Sequence, residues 1–315
     1  MDLNIGIIGT GGVGGYYGGK LCRLISTQNV KVYFVARGSH LDAIRRDGLS
    51  IRTAKEGEWI VRPTLATDDF NDLPMLDVCL MCVKAYDLLN ATRRLRHCVS
   101  DATAIVPLLN GIDIYERMRS ALDAGRIFPA CTYIGVHISS PGKIYQKGGE
   151  CRILLGPDPH ADSFKPHVLF NLFDQSGIRY EWFDDIAAIL WKKYVFIVAF
   201  GMVMAAFDRT LGQVMETPAL SEKVLAVMEE IVRLAERQGV EMPADMVAQS
   251  YRHGGDFAYE AKTSFQRDFE NRDKPDERDI FANTILRLAQ QSGIETPVTR
   301  ELRDLMERHK PLPGI

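Results

Sequence analysis

The chain has 315 residues, 46% of them hydrophobic and 25% charged, the balance of a globular protein with room for two domains. Its net charge of −3 leaves no basic field to hold nucleic acid. No apolar run approaches the roughly 20 residues that cross a bilayer, and six cysteines in a chain this long are not a disulfide framework, so a reducing, cytoplasmic setting is expected.

The first residues lead straight into a strand, with no basic n-region of a signal peptide. Ile5 to Ile8 is a short apolar run of the kind found in buried parallel strands. Gly9-Thr10-Gly11-Gly12-Val13-Gly14 follows, and Gly9, Gly11 and Gly14 spell G-x-G-x-x-G. Gly9 permits a tight turn, Gly11 lets a pyrophosphate approach the backbone, and Gly14 lets the next helix pack close to the strand. That helix, from Gly12 to Ser26, would turn its N-terminal N–H groups toward the phosphates. A glycine-rich turn without a ligand is the plain alternative, but it leaves Gly6, Gly12, Gly15 and Gly18 unexplained.

Lys31 to Ala36 reads as the second strand, ending at Arg37-Gly38-Ser39-His40. A carboxylate at this place would bind the ribose 2′-hydroxyl of NAD. A guanidinium suits a 2′-phosphate instead, so Arg37 favours NADP over a merely solvated surface arginine. Ser39 is placed to cap a helix from Leu41 to Arg46, ended by Gly48. Ile51 to Arg62 reads as a charged surface hairpin. Leu76 to Val83 is the next buried strand. Cys79 and Cys82 face opposite ways within it, as buried thiols rather than shared metal ligands. Lys84 stands at the strand end, where a doubly wound sheet opens on its ligand; it is a phosphate contact or simply a terminal lysine.

A helix from Asp87 to Cys98 and a strand from Ala104 to Leu109 come next. Asn110 then has two readings: a cap for a helix from Ile112, or an amide reaching the nicotinamide ribose or the substrate. Strands at Thr132–Ser140, Lys143–Gln146, Arg152–Leu155 and Arg179–Phe183, with a helix from Ala161 to Ser176, would extend the sheet into a mixed second half.

From Asp185 the strands stop. Helical periodicity covers Ile186–Phe207, Leu220–Gln238, Ala244–Arg252, Arg278–Ser292 and Thr299–Arg308. The expected organisation is an α/β Rossmann-type domain over 1–184 and an all-α domain over 185–315, whose apolar helices leave room for a homodimer. Lys193, Ile197 and Gly201 share one helix face. A lysine on such an apolar face can serve as a proton donor, with a snorkelling lysine as the alternative. Asp276 reads as an N-cap and Glu277 as a first-turn acid.

In this order and spacing, the chain resembles the ketopantoate reductase (2-dehydropantoate 2-reductase) family over nearly its whole length. The resemblance rests on the glycine loop, Val35-Ala36-Arg37-Gly38, Val83-Lys84-Ala85 and Leu109-Asn110-Gly111. It continues through Thr132-Tyr133-Ile134-Gly135, Pro141-Gly142, Trp191-Lys192-Lys193, Thr263-Ser264-Phe265 and Lys274 to Asp279. It implies an NADP-binding Rossmann domain followed by a helical domain. It also implies NADPH-dependent reduction of a 2-oxo acid (2-dehydropantoate or a relative), with Lys193 as proton donor. Arg37 and Lys84 would meet the cofactor phosphates, and Asn110 would sit by the nicotinamide ribose and the substrate. Ser264 would bind the substrate carboxylate, and Glu277 would help order the site. The implied partner is a small molecule, with neither nucleic acid nor membrane.

The sequence also departs from the family pattern. Ile197 and Gly201 stand where asparagines are usual on the substrate side, and Leu211 where another is expected. The loop from Asp268 to Glu277 is one residue longer, so Asp276 competes with Glu277 for the acidic position; the helix that follows matches better with Glu277. The implied pocket is less polar, and the substrate stays open. A catalytically silent NADP-binding sensor is the alternative from another class; the retained Lys193, Ser264 and Glu277 argue against it.

Overall fold

The computed structural model describes residues 2–161, 164–272 and 274–310. The chain divides into two compact units. One comprises Met1–Leu109 with Ile114–Ile186, and the other Asn110–Asp113 with Ala187–Ile315.

The first unit begins with β1 (Leu3–Ile8), α1 (Gly12–Cys22), β2 (Val30–Val35), α2 (Gly38–Asp47), β3 (Leu49–Thr53), β4 (Gly57–Val61) and β5 (Leu65–Thr67). It continues through β6 (Val78–Met81), α3 (Ala85–Arg94), β7 (Ala104–Pro107), α4 (Ile114–Arg119) and β8 (Arg126–Ile127). It closes with β9 (Ala130–Tyr133), β10 (Val136–Ser140), β11 (Lys143–Gln146), β12 (Arg152–Leu155), α5 (His167–Ser176) and β13 (Arg179–Trp182).

Six strands form one sheet in the order β5-β2-β1-β6-β7-β8, and every neighbouring pair is parallel. Numbered by their own succession, these strands run 3-2-1-4-5-6, the dinucleotide-binding arrangement. The central strands are covered on both faces: Ile5, Ile7 and Ile8 of β1 and Leu80 and Met81 of β6 are fully buried. That is why they read as unbroken apolar runs rather than alternating ones.

The later strands do not extend this sheet. They form two others, β10-β11-β3-β4 and β13-β12-β9. The single strand expected over Thr132–Ser140 breaks at Ile134-Gly135. There Gly135 N donates to Gly148 O at 3.1 Å and Gly135 O accepts from Lys147 N at 2.8 Å, and the chain passes from one small sheet to the other. The expected surface hairpin is likewise more than surface, because Leu49, Ile51 and Val61 turn a buried face inward.

That face explains the surplus glycines. On one side of α1, a Cβ at Gly18 would come within 2.8 Å of Phe34 and 2.9 Å of Ile7 in the parallel sheet. On the other side, a Cβ at Gly15 would come within 2.8 Å of Ile144, and one at Gly19 would overlap Ile51, both in the second sheet. The helix is thin on two faces because a sheet presses on each. This close packing offsets the lost helix propensity.

Several boundaries move for local reasons. Ser39 does not cap α2, which starts at Gly38, three residues before the expected Leu41, with Arg37 at the cap position and no side-chain cap. The helix expected from Asp87 starts at Ala85 and, past Arg94, tightens into a 3-10 turn at Leu95–His97. Of the helix expected from Ala161, residues 162 and 163 lie outside the described residues, and α5 itself begins at His167.

The helical unit contains α6 (Ile186–Phe207), α7 (Leu211–Glu216), α8 (Pro218–Arg237), α9 (Met246–His253), α10 (Ser264–Glu270), α11 (Thr284–Ser292) and α12 (Pro297–His309). The sequence reading missed α7 and α10, yet each opens on the same signal, T-x-x-Q. Thr210 and Gln213 form a reciprocal capping box, and Thr263 accepts from Gln266 N at 3.0 Å. The helix expected from Arg278 is interrupted: Asp279–Asn283 form a five-residue π-turn before α11. With 22 residues, α6 is long and apolar enough by composition to cross a membrane, contrary to the expectation of no such run. However, 61% of its most apolar stretch is buried in the protein. Val195, Val198, Ala199, Phe200, Met202 and Val203 are fully buried, as in a core helix.

Candidate functional site

In the first unit, strand register gathers the predicted cofactor residues. Ile8 pairs with Val35 on one side and Met81 on the other, so β1, β2 and β6 end together. Gly9, Arg37 and Lys84 therefore leave from one edge of the sheet. Gly9 has φ +91°, and a Cβ there would lie 2.8 Å from Val83 N, so both turn and space require glycine. The N–H groups of Gly9 and Thr10 donate to Val35 O at 3.1 and 2.9 Å, and the Thr10 hydroxyl donates to the same oxygen at 3.2 Å. The turn is thus tied to the end of β2, two residues before Arg37.

The following helix presents its start uncapped. Gly11 is the N-cap residue of α1, no side chain caps the helix, and the first turn holds no acid. A Cβ at Gly11 would meet nothing within 4 Å, whereas one at Gly14 would overlap the Gly9 carbonyl. The first position is open for a ligand, and the second is closed by the turn itself. Gly12 and Val13, half-buried, supply first-turn N–H groups with no partner inside the helix. The residues present therefore fit a pyrophosphate.

Arg37 is 74% exposed and its guanidinium pairs with Asp87 in the first turn of α3. Lys84 is the N-cap residue of that same helix and is half-buried. The two cations are thus brought to one helix start. His40, three residues past Arg37, accepts from Gly142 N at 3.0 Å, and burial holds its pKa below the ordinary histidine value. Cys79 and Cys82 are free thiols that burial pushes upward.

In the helical unit, Lys193 is 9% exposed and its Nζ donates to Asn110 Oδ1 at 2.9 Å. A snorkelling lysine would hold its ammonium in water, so that alternative fails. Asn110 does not cap α4, which begins four residues later at Ile114. The short segment 110–113 belongs instead with the helices. There Asp113, 5% exposed, accepts from Thr284 Oγ1 at 3.0 Å and from Arg287 at 2.6 Å.

The rest of the expected constellation divides. Ile197 lies half-buried one turn beyond Lys193. Gly201 is buried: a Cβ there would come within 3.1 Å of the Phe281 ring, which stacks on Phe265 at 4.5 Å and 15°. Gly201 therefore seats an aromatic ring. Ser264 is exposed at the start of α10.

Asp276 is not a plain helix cap. It accepts from Arg278 through the backbone N–H at 3.1 Å, Nε at 2.9 Å and Nη2 at 2.8 Å, with Lys310 Nζ at 3.3 Å. Burial alone would raise its pKa, but the bonds and charge of Arg278, with Lys310, outweigh burial and hold it below the usual carboxylate range. Arg278, fully buried, also reaches Glu307 and the Lys310 carbonyl, both at 2.7 Å. Asp276 is thereby committed to structure, and Glu277, 4% exposed, is the neighbouring acid.

Sequence reasoning missed three residues here. Asp113 and Arg278 are described above. The third, Tyr194, donates to the carbonyls of Ile280 and Phe281 at 2.6 and 2.9 Å, which ties α6 to the π-turn. No local pattern marks Asp113 or Tyr194, whose partners lie far along the chain, and Arg278, two residues from Asp276, is set apart only by its full burial.

Residues 5–160 match the family described as "Ketopantoate reductase PanE/ApbA", and residues 185–310 match its C-terminal counterpart. A 2-dehydropantoate 2-reductase of Mesorhizobium japonicum is 27% identical over 326 residues, covering 97% of each chain. YkpB of Bacillus subtilis, an uncharacterized oxidoreductase, is 26% identical over 294 residues, covering 93% of this chain and 94% of its own. The crystal structure of 2-dehydropantoate 2-reductase from Methylococcus capsulatus superposes with a TM-score of 0.84 at 27% identity, over 98% of this chain and 96% of that one. With both family matches falling on the Rossmann-type and helical regions described above, the chain belongs to the ketopantoate reductase family and is an oxidoreductase of the 2-oxo acid class.

Proposed function

We propose that the protein reduces a 2-oxo acid to its 2-hydroxy acid with NADPH, and that Lys193 is the proton donor. The observation that carries this reading is the buried Lys193 ammonium, held at 2.9 Å by the Asn110 amide within the helical unit. The dinucleotide, when bound, supplies the hydride. Lys193 then gives its proton to the carbonyl oxygen, and before that its charge stabilises the oxyanion that develops there. Asn110 keeps the ammonium oriented by accepting from it.

The remaining roles follow the family pattern. The turn from Gly9 to Gly14 takes the pyrophosphate, Lys84 meets the cofactor phosphates, and Arg37 takes the 2′-phosphate that distinguishes NADPH from NADH. Ser264 receives the substrate carboxylate and Glu277 orders the site. Ile197 offers no hydrogen bond, and Gly201 carries a packed ring. A 2-oxo acid with a chain less polar than that of 2-dehydropantoate is therefore as suitable as 2-dehydropantoate itself. The proposed setting is the cytoplasm.

The test is NADPH oxidation with a panel of 2-oxo acids that includes 2-dehydropantoate. Turnover is expected with at least one, and Lys193→Ala should lower it by about 10²–10⁴ with dinucleotide binding kept. Dinucleotide binding with no turnover on any acid would instead identify a sensor.

A further inference from the structure

We propose that Asp113 is a positioning residue that holds the Asn110 amide against Lys193. The proposal rests on the reading of Lys193 given above and adds the part that fixes its partner. Residues 110–113 lie between β7 and α4 and belong to neither. Gly111 sits at φ +130°, so the backbone here is irregular. An irregular segment needs an anchor to hold a side chain within the few tenths of an ångström that proton transfer requires.

Asp113 supplies that anchor. It is 5% exposed and bonded to two residues of α11, Thr284 at 3.0 Å and Arg287 at 2.6 Å. Thr284, fully buried, also lies 3.3 Å from the Asp279 carbonyl, which joins the anchor to the π-turn. Burying a carboxylate is unfavourable unless it is paired, and an apolar residue would pack here without that penalty. The acid at this place fixes geometry: three residues from Asn110, it decides where the amide oxygen points. All the groups involved lie in the helical unit.

The experiment compares Asp113→Ala, Asp113→Asn, Asn110→Ala and the Asp113→Ala/Asn110→Ala double variant in NADPH-dependent reduction. Asp113→Ala is expected to lower kcat about tenfold while leaving the dinucleotide Kd unchanged, as a small misplacement of a supporting group does. Asp113→Asn still accepts from Thr284 and Arg287 and should restore kcat to within about threefold. In the Asn110→Ala background, Asp113→Ala should change kcat by less than about twofold, because its effect runs through the missing amide.

Wild-type kcat in Asp113→Ala overturns the proposal. So does an undiminished loss in the double variant, or an Asp113→Asn as impaired as Asp113→Ala. Should Asp113→Ala not fold, Arg287→Ala, at a half-exposed position, is read in its place. A smaller loss of kcat that disappears in the Asn110→Ala background supports the anchor, and no loss overturns it. Turnover that survives both Lys193→Ala and Asn110→Ala overturns the reading of the site itself, and this proposal with it.

Discussion

The glycine turn and the Lys193 constellation are built from different materials. The turn is made of backbone: four of its six consecutive residues are glycines, and Gly12 and Val13 supply first-turn N–H groups with no partner inside the helix. The constellation is made of side chains drawn from positions 110, 113, 193 and 284, each held by a partner distant in sequence. The first needs empty space and is broken by adding atoms. The second needs company and is broken by removing them.

Opposite substitutions sharpen this contrast. The largest effect is expected in the helical unit. Asp276→Ala takes away the buried partner of the Arg278 guanidinium and leaves it only Glu307 and the Lys310 carbonyl, and breaking such a pair costs up to about 3–5 kcal/mol. Urea unfolding measures it, and an unchanged midpoint would contradict the assignment. The same carboxylate shapes the acid limb. Its pKa is lowered in the folded protein, so its contribution is full above the unfolded value of about 3.9 and is lost as pH falls through the lower folded value. The variant should lack that part of the acid loss.

In the first unit, addition does the damage. Gly14→Ala forces a methyl against the Gly9 carbonyl, an overpacking worth about 1–3 kcal/mol, and it should weaken dinucleotide binding as well as stability. Calorimetric titration with NADP reads the first effect, and full affinity would show that the turn has slack. Smallest is Arg37→Leu. It should lower NADPH affinity about tenfold with little change for NADH, as the loss of one charge-assisted hydrogen bond predicts. Equal losses for both cofactors would remove Arg37 from the 2′-phosphate.

The same contrast explains what the sequence made legible. Gly9, Gly11 and Gly14 are readable because the requirement is local: a turn off a strand, an open approach and a close helix all lie within six residues. The course of α6 was readable from its apolar content, and its start at Ile186 was placed correctly. The partners of Lys193 were not. That Asn110 accepts from its ammonium, and does not cap a helix, depends on a segment crossing from one unit's sequence into the other's structure. The Asp276–Arg278 pair stands two residues apart, yet only burial beside Lys310 shows that it is structural. The second sheet was hidden because β3 and β11, paired in parallel, are some ninety residues apart in the chain. T-x-x-Q at Thr210 and Thr263 is a local signal for both helix starts.

The two sheets that flank α1 fix it from both sides. A helix gripped on both sides is already in place before any dinucleotide arrives. Deuterium uptake by its interior amides should be slow in the free protein and hardly slower once NADP is added. Association at that end then loses little freedom to ordering, and its heat and entropy come mainly from the released water and the phosphates. Crowding glycine into a recognition helix, which looks like a way of loosening it, here makes it stiff.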